Sequence, residues 1–99
     1  GRETHRYDLV YSTNTRALSF AEDPSRNGHV WLTREQTAGR GQYGRVWQAP
    51  PGSSVLMSVL LFPPPALRRP VLLTAWAAVS VCDTVETLTS LPARIKWPN

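Results

Sequence analysis

The chain has little cysteine and no concentrated charge of one sign. Cys82 is its one cysteine and has no partner, which excludes a disulfide framework and favours a reducing, intracellular setting. We interpret Cys82 as a small hydrophobic core residue. The net charge is +4 and the pI is about 10.0, but no run of basic residues is longer than Arg68-Arg69. This dispersal argues against a polybasic tail, and we expect no nucleic-acid partner.

Long apolar runs are also missing. We find no stretch with the ~18–20 apolar residues of a membrane span, and no signal-peptide core in the first residues. We therefore expect a cytoplasmic protein with no membrane partner. A length of 99 residues with 41% hydrophobic content is enough for one small domain with a modest core.

Strand and helix patterns alternate along the chain, which predicts an α/β fold with helices packed on a sheet. The predicted elements are a strand over Leu9–Tyr11, a helix from Thr15 to about Ala21, strands over Val30–Glu35 and Val55–Phe62, a helix opening at Pro70, and a strand over Ala93–Trp97. Because Val55–Phe62 is nearly all apolar, it is predicted to be a central strand covered on both faces. The helix at Pro70 is predicted to be largely buried through one apolar face, which carries Val71, Ala75, Ala78, Cys82 and Val85.

The segment Gln36–Trp47 is the most informative part of the chain, because it places three glycines and two arginines between apolar runs. Glycine lets a backbone approach a ligand closely and leaves N–H groups available to an anion. Arg40 and Arg45 add forked donors that suit carboxylate or phosphate. The missing Lys-Ser/Thr excludes a Walker loop, and no helix follows as a dinucleotide fingerprint requires. A structural loop and a nucleic-acid contact, with Trp47 as a stacking surface, remain open alternatives.

Two further segments have ordinary interpretations when each is considered alone. Ser12-Thr13-Asn14 is a good helix cap, and Lys96-Trp97-Pro98-Asn99 is a strand end that meets a proline. Together with Gln36–Trp47, in this order and spacing, they resemble the catalytic domain of biotin protein ligases. The resemblance runs from about residue 7 to residue 99. Lipoate ligases share the fold, but the Lys-Trp-Pro-Asn segment points to biotin.

The resemblance implies a mixed sheet flanked by helices (α/β, or α+β), like that of class II aminoacyl-tRNA synthetases and biotin ligases. It makes residues 1–99 a single partial domain, the N-terminal portion of such a catalytic domain. In the family an aspartate and a glycine-lysine segment follow the position of Asn99, and both are implicated in nucleotide chemistry. We therefore expect a truncated chain with incomplete activity.

The activity implied by the resemblance is protein biotinylation in two steps. Biotin and ATP form biotinyl-5′-AMP, and a lysine on the biotin carrier domain of a carboxylase then attacks it. Mg²⁺ is expected to bind mostly through water and phosphate oxygens, with no metal ligand assigned to the protein, and a homodimer is a possible assembly. A non-catalytic biotin- or lipoyl-binding module and a lipoate-type ligase are the alternatives.

The resemblance also implies the site residues. The catalytic residues would be Arg40, Arg45 and Lys96. The binding residues for biotin and nucleotide would be Ser12, Thr13, Asn14, Gln36, Gly39, Arg40, Gly41, Gln42, Trp47 and Asn99. Many members have arginine where this chain has Gln42. The neutral glutamine means that this chain has one positive charge fewer beside the acyl phosphate.

We predict that residues 38–47 are mobile without ligand and ordered with it. Ordering a glycine-rich loop costs ~1–2 kcal/mol per residue, which ligand contacts must offset. Amide hydrogen exchange measures this: loop amides should exchange fast in the free protein and more slowly with biotin. Equally slow exchange in both states would contradict the prediction.

Overall fold

The computed structural model describes residues 3–97, apart from the side chain of Gln42. Within the chain there are two compact units, Gly1–Phe62 and Pro63–Asn99. The first unit contains the elements β1 (Thr4–Val10), α1 (Thr13–Leu18), β2 (Val30–Gln36), β3 (Gly39–Arg40), β4 (Val46–Trp47) and β5 (Leu56–Val59). The second contains α2 (Pro70–Thr89).

A three-stranded mixed sheet in the order β1-β2-β5 forms the framework of the first unit. Strands β1 and β2 are parallel and run in register from Thr4↔Val30 to Val10↔Gln36. Strand β5 pairs antiparallel with β2, from Val30↔Val59 to Thr33↔Leu56. Because β1 and β2 point the same way, their carboxyl ends lie together at one end of the sheet.

Helix α1 connects β1 to β2 and starts at a side-chain cap. The Ser12 hydroxyl accepts a hydrogen bond from the Thr15 backbone N–H at 3.3 Å, which confirms the predicted cap. The helix spans Thr13–Leu18, so the predicted span of Thr15 to Ala21 begins and ends too late. It ends early because Phe20 N–H donates to the Ala17 carbonyl at 3.1 Å, a tighter three-residue turn that leads the chain away.

The core of the first unit is small and centres on Trp31. Trp31 is 1% exposed and packs with Ala17 of α1 and Leu60, which follows β5. The ring of Phe20 stacks on Trp31 at a centroid distance of 5.5 Å. Strand β2 lies in the middle of the sheet, which is why its side chains are the best covered.

Strand β5 differs from its prediction. It is an edge strand of the three-stranded sheet, and only one of its faces is covered. Leu56 and Leu60 are buried, whereas Met57 and Val59 are 50% and 44% exposed. The prediction of a central strand covered on both faces is therefore wrong, because an apolar run does not reveal which of its faces has a packing partner.

The second unit contains a short 3-10 turn at Pro65–Leu67, then α2, and then described residues without regular secondary structure. Pro70 stands in the first turn of α2, as predicted, and the helix ends at Ser90 in the left-handed conformation with φ 58°. No residue of α2 is buried, so the predicted largely buried face is wrong. Residues 93–97 form no strand, also against prediction. Cys82 is half-buried rather than a core residue, and its thiol donates to the Ala93 carbonyl at 3.2 Å.

By length and composition alone, α2 is long and apolar enough to cross a membrane, with a mean hydropathy of 1.4 over 18 residues. Its only charged residues are Asp83 and Glu86. Threonine, serine and the two acidic residues interrupt the apolar runs of α2, so its apolar character lies in its average composition rather than in one continuous run.

We predict that Trp31→Ala lowers the free energy of unfolding by about 3–5 kcal/mol, because it removes the largest buried side chain and leaves a cavity. Val55→Ala is the control. Val55 is 78% exposed, so its truncation should change stability by no more than about 0.5 kcal/mol. Guanidinium unfolding of the two variants measures the difference, and similar midpoints would contradict the packing described above.

Candidate functional site

A cavity of about 290 Å³ opens at the carboxyl ends of β1 and β2. It brings together residues from α1, β2, the β3–β4 hairpin and β5. Its lining residues are Ser12, Thr13, Asn14, Gln36, Arg40, Trp47, Ser54, Val55, Leu56, Met57 and Ser58. The first six are residues that the sequence assigned to ligand binding.

A hydrogen-bonded triad forms the inner wall of this cavity. The Thr13 backbone N–H donates to Gln36 Oε1 at 2.8 Å, and the Thr13 hydroxyl donates to the same oxygen at 3.1 Å. The hydroxyls of Thr13 and Ser58 lie 2.8 Å apart. Thr13 is 3% exposed, so these bonds are formed away from bulk water.

The triad fixes which groups are left for a ligand. A backbone N–H can only donate, so the atom of Gln36 that faces Thr13 is the oxygen, and Nε2 points elsewhere. The single hydroxyl proton of Thr13 is directed to Gln36, so Ser58 is the donor to Thr13. Gln36 thus offers an amide donor, and Ser58 keeps oxygen lone pairs that accept.

Ser12 and Asn14 flank the triad on α1. Ser12 is 2% exposed, and its hydroxyl accepts from the Thr15 N–H. Asn14 is exposed and lies at the rim. The capping bond occupies one lone pair of the Ser12 hydroxyl, so its proton can still be donated to a ligand. The amide of Asn14 can bond to solvent or to a ligand.

The β3–β4 hairpin approaches Gln36 closely, and Gly39 makes this possible. Gly39 pairs with Trp47 and is buried. A Cβ added at Gly39 would overlap the Trp47 carbonyl oxygen and would lie 2.9 Å from Gln36 Nε2. Only glycine fits, and the hairpin then places Arg40 and Trp47 on the cavity wall.

The tip of the hairpin is a tight turn. Gly41 N–H donates to the Arg45 carbonyl at 2.7 Å. Tyr43 and Gly44 both adopt left-handed conformations, with φ of 57° and 74°. The tip projects into solvent, and Tyr43 is 94% exposed.

Not every predicted site residue is among the described lining residues of the cavity. Gly39, Gly41 and Arg45 belong to the hairpin but are not among the lining residues. Lys96 is in the second compact unit. Asn99 and the side chain of Gln42 lie outside the described residues. The functional roles given to all of these residues stay predictions.

Strand β5 and the residues before it contribute wall residues that sequence reasoning missed. Of these, Ser58 carries a signal that was present in the sequence. In a strand the side chains alternate between faces, so Ser58 shares its face with Leu56 and Leu60, both buried. A polar residue on a buried face requires a hydrogen-bond partner, and here the partner is Thr13.

The described lining residues do not suit a divalent cation. They include hydroxyl and amide groups and one cation, Arg40, but no carboxylate. Mg²⁺ prefers carboxylate and phosphate oxygens together with water. The described part of the chain therefore supplies no protein ligand for Mg²⁺ at this cavity.

Comparison with known proteins identifies the family. Residues 7–99 match the sequence model of the Biotin/lipoate A/B protein ligase family. The chain belongs to this family. The predicted family and the predicted fold class, a mixed sheet with flanking helices, are both confirmed.

Relatives of the Biotin/lipoate A/B protein ligase family match nearly all of the chain. The bifunctional ligase/repressor BirA of Bacillus subtilis is 35% identical over 99 residues, which cover 100% of this chain and 30% of BirA. The biotin–[acetyl-CoA-carboxylase] ligase of Paracoccus denitrificans is 38% identical, over 89% of this chain and 37% of that protein. The chain thus spans about a third of the length of these relatives.

A solved member of the family has the same fold. The biotin protein ligase of Aquifex aeolicus, determined in complex with biotin and ATP, superposes with a TM-score of 0.83 at 29% identity. The match covers 100% of this chain and 40% of that one.

We predict that Gly39→Ala disrupts the β3–β4 hairpin, because the new methyl group collides with backbone. Overpacking of this kind costs about 1–3 kcal/mol. Gly41→Ala is the matched control, since its Cβ would meet Arg45 Cβ at 3.3 Å and a small shift relieves it. NMR cross-strand contacts between Arg40 and Val46 should disappear in the first variant and persist in the second. Persistence in both would contradict the role given to Gly39.

Proposed function

We propose that the cavity binds the ureido ring of biotin, and that the chain forms the biotin-binding part of an ATP-dependent biotin protein ligase. The observation that carries this proposal is the Thr13–Gln36–Ser58 triad. A ureido group has two N–H donors beside one carbonyl acceptor. Ser58 offers acceptor lone pairs, and Gln36 offers an amide donor, so the cavity complements such a ring.

The size of the cavity supports a small ligand. A volume of about 290 Å³ lies at the lower limit of small-molecule sites, which span roughly 300–1,000 Å³. It suits one bicyclic ring system but not a nucleotide in addition. The ligase of Aquifex aeolicus was determined with both biotin and ATP. In this proposal biotin occupies the cavity and the nucleotide lies beyond it.

In the proposed reaction, a biotin carboxylate oxygen attacks the α-phosphorus of ATP, and pyrophosphate leaves. The product is the mixed anhydride biotinyl-5′-AMP. A lysine amine of a carrier domain then attacks the anhydride carbonyl, and AMP leaves. The carboxylate and the phosphate repel each other, so a nearby cation lowers the barrier. Arg40 is the charged side chain among the described lining residues, and in this proposal it supplies that cation.

The hairpin that carries Arg40 and Trp47 would also shield the anhydride from water. Exclusion of water matters because an acyl phosphate hydrolyses readily. It also strengthens the electrostatic interaction between Arg40 and the negative charges of the reactants. In this proposal Gly39 and Gly41 offer backbone N–H groups, while Arg45, Gln42, Lys96 and Asn99 act towards the nucleotide. Mg²⁺ would be held by phosphate oxygens and water.

Partners and location follow from this proposal. The protein substrate would be the biotin carrier domain of a carboxylase, as the name of the Paracoccus relative suggests for that protein. The reaction would take place in the cytoplasm, with no nucleic-acid or membrane partner. A homodimer is the assembly that we propose.

Two measurements test the function. Calorimetry with biotin measures binding directly, with lipoate as the competing ligand. Biotin-dependent exchange between ATP and pyrophosphate measures the first chemical step. Binding with exchange supports the ligase, binding without exchange supports a non-catalytic binding module, and preference for lipoate would overturn the choice of vitamin. No heat with either ligand would overturn the proposal.

We predict that Thr13→Val weakens biotin binding by about 10–100-fold, or about 1.4–2.8 kcal/mol at 1.4 kcal/mol per factor of ten. Valine preserves the shape but removes the hydroxyl that orients Gln36 and accepts from Ser58. Thr15→Val is the matched control, because Thr15 is exposed on the same helix. Its affinity should equal that of the unmodified protein. Equal affinities for both variants, measured by calorimetry, would remove the triad from ligand recognition.

A further inference from the structure

Glu3, His5 and His29 meet at the amino ends of β1 and β2, at the opposite end of the sheet from the cavity. Thr4↔Val30 pairs at this end, and Val10↔Gln36 pairs at the cavity end. At ~3.3 Å per strand residue the two ends are about 20 Å apart. The cluster therefore belongs to a separate part of the molecule.

Two of the three separations within this cluster are close to those between the ligands of one metal ion. His5 Nε2 lies 3.3 Å from His29 Nδ1, and His29 Nδ1 lies 3.6 Å from Glu3 Oε2. All three ligand atoms lie within 4.8 Å of one another. Ligands about 2.0–2.1 Å from a tetrahedral Zn²⁺ are separated by about 3.3–3.4 Å, which is close to the two separations that involve His29. The exposed Glu3 carboxylate would shift towards His5 Nε2 to complete the set.

The chemistry of the donors also suits this ion. Two imidazole nitrogens and one carboxylate oxygen form a common three-ligand set for Zn²⁺, with the fourth position left to water. The His29 side chain is 13% exposed and that of Glu3 is 62% exposed. One side of the cluster is therefore covered and the other is open to solvent, which gives an ion an entry path.

The core holds both histidine rings in place. His5 stacks on Trp31 at a centroid distance of 4.9 Å and an interplanar angle of 18°, and His29 is tilted against Trp31 at 6.1 Å. The His29 backbone donates to the Arg26 carbonyl at 3.0 Å and accepts from Leu60 N–H at 3.0 Å. Little ordering of the rings is then needed when an ion binds.

Further contacts fix the aromatic rings on which the histidines pack. Trp31 stacks on Phe20, and the Arg26 guanidinium lies 4.0 Å from the Phe20 ring centroid. Asp23 holds Arg26 through a contact of 3.2 Å. The Ser25 hydroxyl, which donates to Asp23, is the main cause of the lowered pKa of Asp23, so this carboxylate stays charged and keeps Arg26 in position.

We propose that Glu3, His5 and His29 form a binding site for Zn²⁺ or a chemically similar divalent transition metal, with one coordination position open to solvent. The sequence alone assigned no metal ligand to the protein. The site is independent of biotin recognition, and the bound ion would join the first strand to the start of the second.

Titration with Co²⁺ tests this proposal, because tetrahedral Co²⁺ has a visible absorption that reports its ligands and that Zn²⁺ abolishes by competition. We expect one Co²⁺ per chain and displacement by one Zn²⁺. Glu3→Gln and His29→Gln should each weaken Zn²⁺ binding by at least about tenfold, since loss of a partner that only orients a ligand already costs 10–100-fold. Asp8→Asn, an exposed carboxylate on β1, is the control and should leave affinity unchanged.

The composition makes the assignment of ligands direct, because the chain has two histidines and one cysteine. A Cys82→Ser variant should bind Co²⁺ with the same spectrum, and Glu3→Gln alters only an exposed side chain that cannot disturb the core. No visible absorption at excess Co²⁺ would overturn the proposal. So would unchanged Zn²⁺ affinity in Glu3→Gln and His29→Gln, or loss of the spectrum in Cys82→Ser.

Discussion

The hydrogen bonds from Thr13 to Gln36 Oε1 join the first residue of α1 to the last residue of β2. One acceptor oxygen receives both a backbone and a side-chain donor, so the helix start and the strand end are held in one geometry. That geometry orients the free amide nitrogen of Gln36 and aligns the hydroxyl of Ser58 on the neighbouring strand. The close approach of Gly39 to Gln36 then places the hairpin against the same point. The cavity forms at this junction of α1 and β2, because the hairpin and β5 meet the two elements there.

The two ends of the sheet differ in chemistry, and Trp31 lies near the amino end of β2. Towards the carboxyl ends, the polar side chains that line the cavity carry hydroxyls and amides, together with Arg40. Towards the amino ends, imidazole rings lie on the indole. A small domain with few buried residues uses the same indole both as its main packing surface and as a support for polar groups. The two histidine rings are thus positioned by contacts with the core.

Local signals predicted the parts of the fold that local interactions decide. The Ser12 cap, the strand at Val30 and the proline at the start of α2 follow from neighbouring residues, and the structure confirms them. The cavity walls from α1, β2 and the hairpin followed from motif resemblance. The partner of Ser58 and the approach of His5 to His29 depend instead on strand register, which brings distant residues side by side. The alternation of β5 marks Ser58 as a polar residue on an apolar face, but it does not reveal that Thr13 is its partner. The exposure of α2 and of one face of β5 was also missed, since apolar content shows that a surface seeks a partner but not whether one is present.

The parallel pairing of β1 with β2 has a kinetic consequence. Antiparallel neighbours can meet through a short turn, but Thr4 pairs with Val30 only after the intervening chain, including α1, has crossed over. Such non-local pairing raises contact order, and the entropy of closing the loop must be lost before any strand bond forms. A short helix forms in about a microsecond or less, so helix formation is not the slow step. Closure of the loop between β1 and β2 sets the height of the folding barrier. The rate at which the chain acquires its native topology is therefore governed by the long excursion between its first two strands.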